Sequence, residues 1–543
     1  MGDHEGRRSL VPPMQPRYHA PLPPLFPADA PAVDVCVYGA TSAGVAAAVQ
    51  ARREGLSVRL LNPARKVGGM SASGLGFTDF GNRDAIGGVA REFYRRVGAR
   101  YGREEEWRFE PHVAESVFDA WLAEVGVVPE HGHYLTEARV ENGRIVELRC
   151  DNGATARARV FIDASYEGDL LAAARVSHVI GREDNAEFGE TLNGAQVHAK
   201  HQFDFAVDPY IRPGDPASGL LPGIEPGEPP VIGVGDHRVQ AYNFRLCLTQ
   251  DPEKRLPFAR PDGYDRRDYE LLARYLAGGW NQMFRKFDQI RGGKTDTNNH
   301  GAFSSDLVGG AHRWPAARPA ERERIFQEHL RHVRGLWWFY SQDEAVPAEV
   351  RARVNQWGPA ADEFVATGGW PHQLYVREAR RMRSATVLTE HHCLSRQQVS
   401  DPVGLAAYTM DSHNCRRFVR DGRVWNEGDV QMRLPRPYGI GYGALVPRRG
   451  ECTNLVVPVC VSATHIAYGS VRMEPVFMVL AQAAATAAAL ALAPTRAGGA
   501  ALALQDVPHA ALRAKLEADG QIISWDPARL NGEPNDSPLL AHA

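Results

Sequence analysis

Residues 34–38 (Asp-Val-Cys-Val-Tyr) form a short apolar run that ends at Gly39. The alanine-rich stretch Val45–Glu54 that follows reads as a buried helix, closed by Gly55 as a C-cap. Ser57–Leu61 is apolar again, so the three segments predict a βαβ unit of about 30 residues, the start of a doubly wound domain. Residues 91–126 read as helical. From 133 to 162 the pattern shortens to alternating strands, with hairpin turns at Glu141-Asn-Gly143 and Asp151-Asn-Gly153. Val160–Ala164 is continuously apolar, as a strand buried on both faces requires.

Between about 195 and 374 aromatic residues, His, Pro and Gly become dense and the βα rhythm is lost. It returns from 375, with a strand at Asn454–Cys460 and an alanine helix from Val476. The expected organisation is a proline-rich flexible leader over 1–32, a nucleotide-binding domain in two parts (33–194 and 375–498), an inserted substrate-facing α+β domain over 195–374, and a helical tail over 499–543. Val476–Ala493 is interrupted by Gln482 and Thr486, which favours a buried helix over a membrane span. Arg7-Arg8 resembles a twin-arginine signal, but Val11-Pro12-Pro13 stands where an apolar segment belongs.

Composition narrows the function classes. At 543 residues two structural units are expected, and 44% hydrophobic with 23% charged residues is globular. Basic and acidic side chains number 62 and 65, so the basic excess of a nucleic-acid binder is missing. Seven cysteines without a C-x-x-C pair argue against a metal centre or a disulfide framework, and for a reducing cytoplasm.

The turn after the first strand carries candidate chemistry. Gly39 and Gly44 occupy the first and third positions of G-x-G-x-x-G, where a helix N-terminus approaches a pyrophosphate. Thr41 takes the second position; its side chain limits backbone approach, while its hydroxyl could donate to a phosphate. Asn62 ends the second strand, where an acidic residue normally grips a ribose, and can still bond a hydroxyl. Arg65 lies near the expected phosphates, and Gly68-Gly69-Met70 lets the chain fold back over a cofactor. NAD enzymes do not need that second glycine pair, so the balance tips to FAD.

The segment GATSAGVAAAVQARREG…KVGGMSASGLGFTD resembles the bacterial FAD-dependent oxidoreductase family distantly related to fumarate reductase and succinate dehydrogenase flavoproteins. The resemblance recurs at 239–249, 294–309, 370–391, 410–414 and 454–491 and covers most of 33–530. It implies an α/β fold with a discontinuous, GR2-type Rossmann-like FAD-binding domain and an inserted substrate domain, together with two-electron redox chemistry. It places Gly39, Thr41, Ser42 and Gly44 at the pyrophosphate, Asn62 at the ribose, and Gly68, Gly69 and Met70 alongside FAD. Asp163-Ala164…Asp169 matches a second nucleotide-contacting segment. One departure stands out: relatives carry P-Y-R-I-P-Y-R where this chain reads Pro437-Tyr-Gly-Ile-Gly-Tyr-Gly443, so two cations have become glycine.

The long alanine helix begins at Glu474-Pro475, and its N-terminal dipole would face the flavin, which brings the loop Ser462–Glu474 close to the cofactor. His465 is the first candidate base, since oxidation of an alcohol or amine removes a proton near pH 7. Arg472 would stabilise reduced flavin or hold a substrate oxygen; the plain alternatives are a structural loop histidine and an arginine pairing with Glu474. His413 is the rival base, with Asp411 as its orienter. Tyr242, Asn243 and Arg245 alternate as on a strand and are candidate substrate contacts with Tyr438 and Tyr442. Arg377, Arg380, Arg381 and Arg383 are expected on a helix, forming a solvated or FAD-bracing face rather than a substrate clamp. Cys460 is expected to be packed rather than reactive. Adjacent His391 and His392 do not suit one ion, and no metal is expected.

The resulting expectation is a cytoplasmic FAD-dependent oxidoreductase that takes hydride from a small polar molecule at flavin N5 and passes electrons to an unidentified acceptor, without nucleic-acid or membrane partners. Reduction of an activated C=C bond and a non-catalytic flavin-binding scaffold are the alternatives.

Overall fold

The structure, a computed structural model, describes residues 14–27, 29–496 and 498–526; Arg7-Arg8 and the tail beyond 526 lie outside the described residues. Strand β1 (Val33–Tyr38) leads into helix α1 (Ser42–Arg53) and returns as β2 (Val58–Asn62). Helices α2 (Gly88–Arg100) and α3 (Pro111–Glu124) occupy the span expected to be helical and are separated by an irregular loop. Strand β3 (Pro129–His131) follows, then the hairpin β4 (Leu135–Glu141) and β5 (Arg144–Cys150). Its turn holds Asn142 at φ 50° and Gly143 at φ 70°, the left-handed pair a tight hairpin demands. A short β6 (Thr155–Ala156) pairs with β5 before β7 (Ala158–Asp163) enters the main sheet.

That main sheet is parallel, in the order Leu455–Val456, β7, β1, β2, β3. This is a Rossmann-like arrangement whose outermost strand comes from the far end of the chain. Val35, Cys36 and Val37 have no exposure, which explains why β1 is apolar throughout rather than alternating. Helix Glu474–Arg496 packs on α1 with small residues along its contact, so the two backbones come close. Among the described residues it is the one helix long and apolar enough to span a membrane, and 89% of its apolar window is buried within the protein.

The middle third contributes an antiparallel sheet (Phe287–Ile290, Lys294–Thr297, Leu248–Thr249, Gly358–Pro359) and the long helix Pro319–Gln342. The hydrophobic core is continuous: Tyr242, Phe244 and Leu374 belong to the same cluster as the β1 residues.

Three local expectations fail. Residues 377–383 are not helical; Arg381–Met382 is a short strand, because Arg377, Arg380 and Arg381 each reach a different buried acceptor. The strand expected at Asn454–Cys460 is only Leu455–Val456. Residues 14–27 are not a loose leader: Tyr18 and His19 donate their backbone N–H groups to Glu323 Oε2 at 2.7 and 2.8 Å.

Candidate functional site

A cleft of about 440 Å³ opens where the carboxyl ends of β1, β2 and β7 meet, the place where open α/β sheets bind ligands. Gly39, Thr41, Asn62, Arg65, Gly69 and Tyr166 line it, with His372 from beyond the middle sheet. The glycines are sterically required. A Cβ on Gly44 would lie 1.8 Å from the Gly39 carbonyl oxygen, and one on Gly69 (φ 54°) would lie 2.1 Å from the Tyr166 hydroxyl.

Several motif residues hold the walls. Thr41 caps α1: its hydroxyl donates to the Ala164 carbonyl at 2.8 Å and accepts from Gly44 N, so its proton is not directed at a phosphate. Asn62 Oδ1 accepts from Ala40 N and Ala64 N while Nδ2 donates to the Lys66 carbonyl, stapling the exits of β1 and β2. Ala164 packs beneath Gly39, and Gly68 is left-handed at φ 86°. Met70 has a core side chain and gives its N–H to the Tyr166 hydroxyl at 2.9 Å. Asp163 turns away from the cleft, accepting from Ser165 and from Leu171 N, with burial pushing its carboxyl up to about 6. Asp169 binds Arg322 at 2.6 Å and Arg380 at 2.9 Å, so it is a bridge between segments.

Glu474 is the first residue of the long helix, with Pro475 second. It accepts from Ser42 Oγ at 2.5 Å and the Tyr166 hydroxyl at 2.7 Å, with Ser71 Oγ at 3.5 Å. Burial pushes its carboxyl up to about 7 against the pull of those hydroxyls.

A second buried group lies around Tyr375. His413 Nδ1 is 2.9 Å from Asp306 and Nε2 is 3.3 Å from Asp411. Arg377 pairs with Asp306 at 2.9 Å, Arg472 with Asp411 at 2.8 Å, and Arg245 with Asp296 at 2.7 Å. Arg472 also donates to the Tyr375 hydroxyl, and all three guanidinium groups lie within 6 Å of the Tyr375 ring, the nearest, Arg377, at 4.8 Å. Burial alone would raise Asp306 and Asp411; Arg377 with His413, and His413 with Arg472, hold them well below the usual carboxylate range. Asn243 bonds Ser305, while Tyr242 and Phe244 face the core, so the expected strand-like alternation is kept. The His413 ring lies 6.5 Å from that of His201, which lines a cavity of about 360 Å³ with Lys200, Trp280, Lys286 and His300.

Other sequence candidates fall elsewhere. Both ring nitrogens of His465 are engaged, Nδ1 by Glu378 at 2.7 Å and Nε2 by Ser412 at 3.0 Å, and the residue is 2% exposed. Arg472 pairs with Asp411, not with Glu474. Tyr442 donates to the Leu504 carbonyl and Tyr438 lines a separate cavity with His392 and Trp525, so neither joins the Tyr375 group. Cys460 is buried beside the Ser165 and Tyr166 carbonyls, and all seven cysteines are free thiols. His392 closes a capping box with Thr389. The one metal-like cluster among the described residues, Glu110–His112–Glu363, already surrounds the Lys294 ammonium, 2.6 Å from Glu363.

Tyr375, Asp296, Asp306 and His372 went unread in the sequence. Asp296 and Asp306 stand in the polar run 294–306 and Tyr375 in the block 370–391, both of which carry the resemblance.

The profile of the family described as FAD dependent oxidoreductase matches residues 34–516. No curated protein matches the chain. Among solved structures, a flavoprotein/dehydrogenase from Cytophaga hutchinsonii is 19% identical over 28% of this chain and 44% of its own, with a TM-score of 0.23. An aromatic hydroxylase from angucycline biosynthesis is 16% identical over 28% of this chain and 35% of its own, also at 0.23. Thioredoxin reductase from T. acidophilum is 18% identical over 24% and 34%, at 0.17. The chain thus spans less than half the length of each of these structures.

Proposed function

The chain belongs to the FAD dependent oxidoreductase family, and from that membership we propose that it oxidises a small, neutral, polar substrate, an alcohol or sugar-like molecule, with His413 as the base. FAD, when bound, supplies the hydride acceptor. The cleft suits it: the glycine-walled turn at Gly39 and the capped N-terminus of α1 can take the pyrophosphate, with Arg65 beside them. Asn62 would adjoin the ribose, and Gly68–Met70 with Tyr166 would flank the cofactor's far half.

The observation that carries the substrate reading is charge balance. Arg245, Arg377 and Arg472 are each paired with an aspartate, so none of the three is left to clamp a carboxylate. A dicarboxylic acceptor of the fumarate kind would want such a clamp. His413 lies between Asp306 and Asp411; as base it would start neutral and give up its longer contact, Nε2 to Asp411 at 3.3 Å, to a substrate hydroxyl, so that the imidazolium forms beside two carboxylates. The Asp306–Arg377 and Asp411–Arg472 pairs fix the ring. His465, whose nitrogens are both held in short contacts, 2.7 Å to Glu378 and 3.0 Å to Ser412, is a positioning residue in this reading. The buried free cysteines agree with a reducing cytoplasm.

Anaerobic mixing of the FAD-loaded enzyme with alcohols, polyols and sugars should bleach the flavin. His413→Ala, with FAD retained, should slow that reduction by roughly 10²–10⁴-fold. An unchanged rate discards His413 as base. Reoxidation of reduced enzyme by an unsaturated dicarboxylate, with no alcohol able to reduce it, would favour C=C reduction instead.

A further inference from the structure

The cleft has a wall that the family profile does not include. Met14, Gln15, Pro16, Arg17, Tyr18 and Ala20 line it, and all precede the matched region 34–516. The segment is tied down on both sides of the opening. On one side, Glu323 and Gln327 lie one turn apart on helix Pro319–Gln342. Glu323 Oε2 accepts from Tyr18 N and His19 N, and Gln327 Nε2 donates to the Pro16 carbonyl at 2.8 Å. Arg322, on the same helix, donates to the Tyr18 hydroxyl at 3.1 Å, and the Tyr18 ring meets Trp314 edge-on at 4.8 Å.

On the other side the Tyr134 hydroxyl donates to the Tyr18 carbonyl and accepts from Ala20 N. His19 Nε2 lies 2.8 Å from Asp151, and Asn152 Nδ2 donates to the Leu22 carbonyl at 2.6 Å. Prolines at 16, 21, 23, 24 and 27 reduce the freedom the segment loses when it is fixed. It therefore spans from the long helix to the β4–β5 region across the cleft mouth, and Arg17 joins Arg65 and Lys66 among the lining cations.

We propose that Met14–Ala20 is a strap that completes the FAD site: it walls in the cofactor, sets its rate of escape, and adds Arg17 to the cations facing its diphosphate. A cofactor under a segment tied down on both sides of the cleft leaves only after those ties open, so the strap adds a barrier to its release. The inference rests on FAD binding and not on the reaction, so an enzyme inert toward alcohols leaves it intact.

The test is FAD release from the holoprotein after dilution, read as recovery of free-flavin fluorescence. Glu323→Ala removes an anchor that lies outside the cleft, and release should accelerate by about tenfold or more, since two charge-assisted bonds are lost. A chain beginning at residue 21 should release FAD at least as fast. Trypsin supplies a second readout: FAD should slow cleavage after Arg17 in the wild-type protein, and Glu323→Ala should abolish that protection. Wild-type release rates in both variants would overturn the proposal. So would faster cleavage at Arg17 with FAD bound, which would mean that the cofactor displaces the segment.

Discussion

Glu474 places a carboxyl among three hydroxyl groups, none of them a cation, and its pKa of about 7 follows from that choice of partners. The folded value lies above the ordinary 4.5, so between those pH values the native state binds more protons than the unfolded chain. Stability on this account is fully present below pH 4.5 and falls as pH rises toward 7. The shift from 4.5 to about 7 corresponds to roughly 3 kcal/mol. Glu474→Gln should therefore flatten the loss of stability between pH 5 and 8 in urea unfolding; an unaltered pH slope would show that the carboxyl titrates normally. At this scale little was legible in advance. Gly39 and Gly44 announce themselves by type, but what Thr41 and Asn62 do depends on acceptors brought in by folding, such as the Ala164 carbonyl, 123 residues from Thr41. His413 and His465 look alike in sequence; only the partners of their ring nitrogens separate them.

Among elements, the β1–α1 turn is the most constrained. The helix approaches the strand so closely that the Gly44 position has no room for a methyl group. Gly44→Ala should push α1 outward, costing about 1–3 kcal/mol in strain. Since the N-terminus of α1 forms one wall of the cleft, FAD affinity should drop by about 10–100-fold in a fluorescence titration of the apoprotein. Wild-type affinity would mean that α1 does not bear on the cofactor. The βαβ unit was readable because short-range signals (an apolar run, a glycine turn, an alanine helix) agree with the final fold. The segment 377–383 was not, because its arginines have acceptable helix propensity and only the buried Glu183, Asp306 and Ala241 carbonyl, all distant in sequence, pull them out of a helix. The strap from Met14 was missed for the same reason: a proline-rich stretch has no periodicity, and its order comes from Glu323 and Tyr134.

At the level of the whole molecule, Glu378 gathers remote segments into one buried knot. It lies 2.7 Å from His465, 2.9 Å from Gln240 and 2.9 Å from Arg381, which in turn pairs with Glu183. Removing it leaves His465 and Arg381 short of a buried counter-charge, so Glu378→Ala should cost about 3–5 kcal/mol. Because the core is continuous, tryptophan and flavin signals should shift together in denaturant. A separate early transition for either would contradict that unity. The composition changes near residue 195, yet Tyr242 and Phe244 beyond it belong to the same core cluster as the parallel sheet, a contact that local composition does not reveal.

That sheet also dictates an order of events during synthesis. Its inner strands are made early, but the neighbour that covers β7, Leu455–Val456, and the Glu474 that meets Ser42 across 432 residues are made near the end. At about 5–20 residues per second the ribosome needs roughly 20–90 s to travel from Gly39 to Glu474. From their own synthesis until Leu455–Val456 is made, Phe161 and Ile162 lie on an unpaired strand edge, open to wrong partners. The strap and the glycine fingerprint are thus the first parts of the cofactor site to be translated, yet the site is completed only once the far end of the chain arrives. Capture of FAD by the complete site therefore belongs after synthesis, when Leu455–Val456 has covered that edge and Glu474 has met Ser42.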